Sequence, residues 1–416
     1  MKRKIVLTLS AALIFGVVVS EPVVIQAAET KELSTTQKKN LTHASWKMFK
    51  NTVSLEKKDG KLDSNIIISP LSVLSALSMA ETGACGATLD EYTDKVIYSS
   101  IDDSNEAISI QNSLLNSSSL WNVANSAWIK EDYTLLSDYK AELEKYFNGE
   151  FFTEPMDDGT VKKVNNWVSD NTNGLIKDII SNLSEDTRLL LANAVAFEGK
   201  WETTYSEEDI IGEDSDAYFV GVNNKEKATY VIDTSLKSYL ELNSGYGFIN
   251  RYKDGDYAFF AYETPDDVTL EEYIKSITWK KLYKSLNNPL YDADEVIIQF
   301  PEFETDFSES VVSVMKKTGM KTAFSEFADL SRMITKNDGE KEDLRIDDIL
   351  HKAHIEVNRE GTKAAAATIV IVNATASVKE SVPNIVEVRL DHPFIYGIMD
   401  TSTNLPVFIG TLTKLG

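Results

Sequence analysis

Residues 358–377, NREGTKAAAATIVIVNATAS, constrain this chain more than any other stretch. Alanines 364–367 follow a Gly-Thr-Lys step and run through Thr368 into Ile369-Val370-Ile371-Val372. The alanines favour helix and the β-branched residues favour strand, yet no turn residue separates them. A segment with both preferences and no proline is not an ordinary element of a soluble domain. The rest of the sequence has to explain it.

The chain has 416 residues, 43% hydrophobic and 26% charged, enough to bury a large core. Its nine prolines and nineteen glycines are scattered, and no linker, low-complexity tract or repeat divides it, so one large domain is expected. Lys2-Arg3-Lys4, an apolar run from Ile5 to about Ser20 and small residues at Ala27-Ala28 read as a secretory signal peptide over residues 1–27. Glu21-Pro22 interrupts the run short of the roughly 20 apolar residues that a membrane anchor needs. Its removal takes Lys2, Arg3, Lys4 and Glu21 away and moves the formal charge from −23 to −25. Such an acidic balance disfavours nucleic acid, heparin-like polyanions and anionic lipid as partners. The single cysteine, Cys85, excludes an internal disulfide and follows an apolar helix without a basic neighbour, as a structural thiol would.

Periodicity predicts helices over 41–53, 71–79, 139–147, 270–277 and 311–319, and a further one over 161–180 interrupted near Asn171-Thr172-Asn173-Gly174. "NIIISP" at 65–70 reads as a short strand, and several strands follow Arg188. Strands weighted towards the second half, mixed with helices, indicate an α+β fold. No Gly-x-Ser-x-Gly elbow, phosphate loop or His-Glu-x-x-His helix is present, and no cofactor is expected. His351 and His354 are the one close histidine pair, but a strand would place them on opposite faces, so no metal site is expected there. The acidic run 207–216 lacks the alternating ligands of a calcium loop and reads as a solvated loop.

Several motifs then converge. "NIIISPLSVLSALSMAETGACGATLDE", "VNNWVSDNTNGLIKDII", "TRLLLANAVAFEGKWE", "FPEFETDF" with "GMKTAFSEFADLSRM", "HKAHIEVNREGTKAAAAT", "DHPFIYGI" and "VFIGTL" occur in this order and are similar to serpin sequence over essentially the whole mature chain. That resemblance implies three β-sheets, eight or nine helices and an exposed reactive-centre loop over about 362–385. It also implies a monomer that traps a serine protease covalently after cleavage of the loop, and no catalytic residue of its own.

Counting from Gly361 as the family does, the loop starts at Thr362 and the scissile bond is Thr375–Ala376, with Lys379 an alternative cut site. The hinge would be Gly361, Thr362, Lys363, Ala364, Ala365, Ala366, Ala367 and Thr368. Once inserted as a strand, Thr362, Ala364, Ala366 and Thr368 would point inward and Lys363 outward. Small residues lead, as entry between packed strands requires. Ser69, Ser72, Asn193 and His351 match the family's polar cluster beneath the opening sheet. Trp201 and Gly199 match the entry point. There the family often has a basic residue after the proline of "FPEF" and an acidic one at position 359, whereas this chain has Glu302 and Arg359. The two either pair in reversed sense or are unrelated surface charges. Small, neutral Thr375 suits an elastase-like or subtilisin-like protease, while cleavage after Lys379 would suit a trypsin-like one. A non-inhibitory carrier or chaperone and a cross-class inhibitor of papain-like cysteine proteases are the other functions the family implies.

Overall fold

The start of the Pro70–Glu81 helix shows how local sequence sets the frame. Ser69 is its N-cap, accepting at Oγ from the Ser72 N–H at 3.3 Å, and Pro70 occupies the first turn, where no donor is needed. Just before it, the three isoleucines of the Ile66–Ile68 strand are buried and pair with the Leu405–Leu412 strand. The computed structural model describes residues 32–57, 62–184, 186–212, 215–339, 344–346, 348–362 and 384–415.

Nine α-helices are found among the described residues, together with a six-stranded sheet, a four-stranded sheet and two small pairs. A further sheet, the one that carries the site, is split in two. One half has the order Glu150–Glu154, Trp121–Lys130, Leu189–Phe197. The other has the order Phe303–Ser310, Leu350–Asn358, Gly361–Thr362, Gly199–Lys200. Among the described residues, no ladder joins Leu189–Phe197 to Leu350–Asn358. The expected three sheets are therefore resolved into more pieces, chiefly because the central one opens along this line.

The first half is buried on both faces. Val195 and Phe197 belong to the main core, while Ala192, Ala194 and Trp128 pack with Val164, Trp167 and Val168 of the Asp158–Asn171 helix. That helix ends at Asn171 and does not resume, contrary to the longer reading. Asn173 and Gly174 take positive φ (52° and 76°), and the Gly174 N–H donates to Ser169 O at 2.8 Å. The following connector is strapped to the helix by Asn165, which exchanges hydrogen bonds with the Ile180 backbone at 2.8 and 3.1 Å.

The helices over 41–53, 71–79, 139–147, 270–277 and 311–319 are present as Thr35–Leu55, Pro70–Glu81, Ser137–Phe147, Leu270–Ser276 and Val312–Thr318. Periodicity alone missed Gly86–Tyr92, Ile101–Asn116 and Trp279–Asn287. Cys85 sits half-buried at the start of the Gly86–Tyr92 helix. The acidic run begins as a single 3-10 turn, Glu207–Asp209.

Candidate functional site

At one end of the split, the chain makes a tight hairpin. Leu350–Asn358 turns back so that Val357 faces Thr362 and Asn358 faces Gly361. Asn358 organises the turn, its Oδ1 accepting from the N–H groups of Glu360 at 2.9 Å and Gly361 at 3.2 Å. The returning residues also pair on their other side, Gly361 with Lys200 and Thr362 with Gly199. Gly361 has φ +151°, and a Cβ there would lie 2.2 Å from Gly199 O, so only glycine fits.

Thr362 is buried, its Oγ1 2.8 Å from the Tyr252 hydroxyl. Trp201 stacks on Tyr252 with ring centroids 4.7 Å apart, donates from Nε1 to Asn358 O at 2.8 Å, and donates from its backbone to Glu360 O at 3.1 Å. Arg359 lies against Glu302: Nε donates to Oε1 at 2.9 Å, and the backbone N–H of Arg359 reaches the same oxygen at 3.0 Å. Glu207 adds a second carboxylate, 3.2 Å from Arg359 Nη1. These carboxylates hold the guanidinium more firmly protonated than usual, the Glu302 hydrogen bond being the leading cause.

Further along the split lies the polar cluster. His351 projects inward from Leu350–Asn358, and its Nε2 accepts from the Ser69 backbone N–H at 3.1 Å. Asn193 projects inward from the opposite strand; Ser72 Oγ donates to its Oδ1, and its amide donates to Asn125 Oδ1 at 2.7 Å. No direct bond between Asn193 and His351 is found among the described residues. The two strand edges are tied instead through the helix start, His351 to Ser69, Ser69 to Ser72 and Ser72 to Asn193. Burial pushes the His351 imidazole down to about 4, so it is neutral and free to accept.

Beyond this cluster the split widens into a cavity of about 790 Å³, lined on one side by Leu189, Leu191 and Asn193 and on the other by Ile346, Ile349 and His351. Sequence reasoning missed Asn125, Tyr252, Asn358 and Glu207. Lys363, Ala364, Ala365, Ala366, Ala367, Thr368, Thr375, Ala376 and Lys379 lie outside the described residues, as does the segment 1–27.

The central sheet is thus divided between two strand edges, with the two-residue strand Gly361–Thr362 seated at one end. The family model "Serpin (serine protease inhibitor)" matches residues 39–415. The chain belongs to the serpin family. It is 31% identical over 375 residues to Iripin-1 of Ixodes ricinus, covering 85% of this chain and 90% of that one. It is 29% identical to leukocyte elastase inhibitor A of Mus musculus, covering 83% and 92%. Among solved structures, the thermophilic serpin tengpin in its native state aligns with TM-score 0.81 and 31% identity over 92% of this chain and 96% of that one.

Proposed function

We propose that the protein is a secreted suicide inhibitor of serine proteases, its first 27 residues acting as the export signal. A protease attacks the Thr375–Ala376 bond and forms an acyl-enzyme on Thr375. The freed segment beyond Thr362 then enters the split as a strand, continuing from the seated Gly361–Thr362. Fourteen residues at roughly 3.3 Å each span about 45 Å, which carries the attached enzyme from one end of the sheet towards the other. Deacylation needs the triad and oxyanion donors of the protease held in place, and pulling distorts them before water can act. The observation that carries this reading is that, among the described residues, no strand pairs across the line between Leu189–Phe197 and Leu350–Asn358, with Gly361–Thr362 already paired at its end.

A small residue at the cut favours an enzyme with a shallow pocket, and the likeness to a leukocyte elastase inhibitor supports the same class. Incubation with elastase-, subtilisin-, trypsin- and papain-like enzymes tests the proposal, reading denaturant-resistant adduct on a gel and the cut site by mass. An adduct with the elastase- or subtilisin-like enzyme and a cut after Thr375 is the expected result. Adduct with the trypsin-like enzyme alone would move the bond to Lys379. Clean cleavage by all four without adduct would overturn the inhibitory reading.

A further inference from the structure

Strand pairing gathers potential metal ligands on the outward face of the second half-sheet. Asp306 stands directly opposite His354, and Glu304 opposite Glu356. Because side chains alternate along strands, Thr305, Phe307, Ala353 and Ile355 are buried while Glu304, Asp306, His354 and Glu356 share the other face. His351, three residues away, points inward and takes no part.

His354 Nδ1 lies 3.1 Å from an Asp306 carboxylate oxygen and 3.9 Å from one of Glu304. One ligand atom from each of the three lies within 4.8 Å of the others. Bonds of about 2.0–2.2 Å to a tetrahedral ion bring ligand atoms somewhat closer than that, a contraction these exposed carboxylates can make by rotation alone. Glu304 also stands directly opposite Glu356 on the paired strand, a like-charge pair in which Glu356 accepts from Asn358 Nδ2 at 3.1 Å, and a cation on Glu304 would relieve the repulsion. Among the described residues, the ion pairs of Glu304 and Asp306 are to His354 alone, and Lys352 on the same face turns away to donate to Lys177 O at 2.7 Å.

We propose that Glu304, Asp306 and His354 form a site for a divalent transition metal, with water completing the shell. One imidazole and two carboxylates without thiolate suit Zn²⁺. Ca²⁺, which takes six to eight oxygens, is a poor match. The ion would bridge two neighbouring strands, one of which forms an edge of the split.

Titration of the full chain with Co²⁺, followed by visible d–d absorption, tests the site. The expected result is uptake of one equivalent with the absorption of low-coordinate Co²⁺, displaced by one equivalent of Zn²⁺. His354→Gln and Asp306→Asn should each weaken binding by roughly tenfold or more, given that even outer-shell partners commonly cost that much. Thermal melts of the metal-free variants identify any that fail to fold, and Glu304→Gln serves as the replacement. Unchanged Co²⁺ affinity in a folded His354→Gln variant, or no absorption from the parent chain at millimolar metal, would overturn the proposal.

Discussion

Thr362 carries the most information at the scale of single residues, because it is buried where the loop would begin to enter, with its hydroxyl on Tyr252. Replacing it with arginine would bring a cation into a site lined by Tyr252, Gly199 and Val357, so, under the proposed function, Thr362→Arg should be cleaved as a substrate without trapping the protease. The expected gel shows cleaved protein in place of adduct; equal trapping by the variant would show that strand uptake does not need a small, neutral side chain at this seated position. At Glu302 and Arg359 the charges touch, with Arg359 about a third exposed and Glu302 a quarter. A double-mutant cycle on thermal stability should return a coupling of about 1 kcal/mol or less. Glu302→Ala should cost more than Arg359→Ala, since Glu302 also accepts the residue 359 backbone N–H, which an alanine there would keep. Two buried groups should shape the pH dependence with opposite signs. His351 is pushed down to about 4 by burial, so its contribution is complete above its ordinary value of 6.5 and is lost as pH falls from there towards 4, on the order of 3 kcal/mol at most. Glu81 is fully buried, neither carboxyl oxygen has a partner among the described residues, and burial raises it to about 8. Its contribution is complete below 4.5 and is lost as pH rises through 8. Stability–pH curves should therefore lose the fall in stability from pH 6.5 down to 4 in His351→Gln, and the fall from pH 4.5 up to 8 in Glu81→Gln. Curves parallel to the parent's would refute both assignments.

Among the elements, those legible in the sequence were the ones whose local chemistry agrees with their tertiary role. Ser69-Pro70 announces a helix start, and the alternation in 350–358 announces a strand with His351 and His354 on opposite faces. The Asp158–Asn171 helix was overextended because Leu175, Ile176 and Ile180 continue its apolar spacing. Ile176 and Ile180 are recruited to the small core over the sheet, held there by the Asn165 strap, a tertiary contact with no local signature. Trp121–Lys130 was missed as a strand because Asn122, Asn125 and Ser126 break its apolar pattern. Asn125 is nevertheless buried, its amide donating to Phe147 O at 2.9 Å and its Oδ1 accepting from Asn193. The split itself is invisible in sequence, since a strand edge carries no mark of whether its partner is present. Register, once seen, allows a prediction about the inserted state. Val357 pairs with Thr362, and Thr362 with Gly199. One step further would set residue 363 opposite Glu356 on one side and Glu198 on the other, all on the outward face. Lys363 would then be flanked by two carboxylates, each pair worth a few tenths of a kcal/mol. Lys363→Glu should make insertion slower and raise the fraction of protein cleaved without trapping. A cleaved-to-trapped ratio equal to the parent's would argue against this register.

For the whole molecule, the split is a store of energy only if filling it stabilises the protein. Leu189–Phe197 and Leu350–Asn358 present facing edges, and the chamber between them near Asn193 and His351 measures about 790 Å³. Unpaired strand edges are a liability that folded proteins ordinarily cover or blunt. A kinetic barrier can preserve such a state when the strand that would relieve it is tethered elsewhere. Under the proposed function, cutting at Thr375–Ala376 would free that strand, and alternating small side chains would let it enter without displacing the buried serines, alanines and valines beneath. Each inserted residue could add ladder bonds worth about 1 kcal/mol net, so a strand of fourteen residues would contribute on the order of 10 kcal/mol. At roughly 2 °C or less per kcal/mol for a protein larger than 250 residues, the melting temperature of the cleaved form should rise by some 10–20 °C, with a matching gain in urea resistance. Calorimetry on intact and elastase-nicked protein measures this directly. If the two forms melted together, the split would gain nothing from a strand, and distortion of the bound protease would lose its source of work.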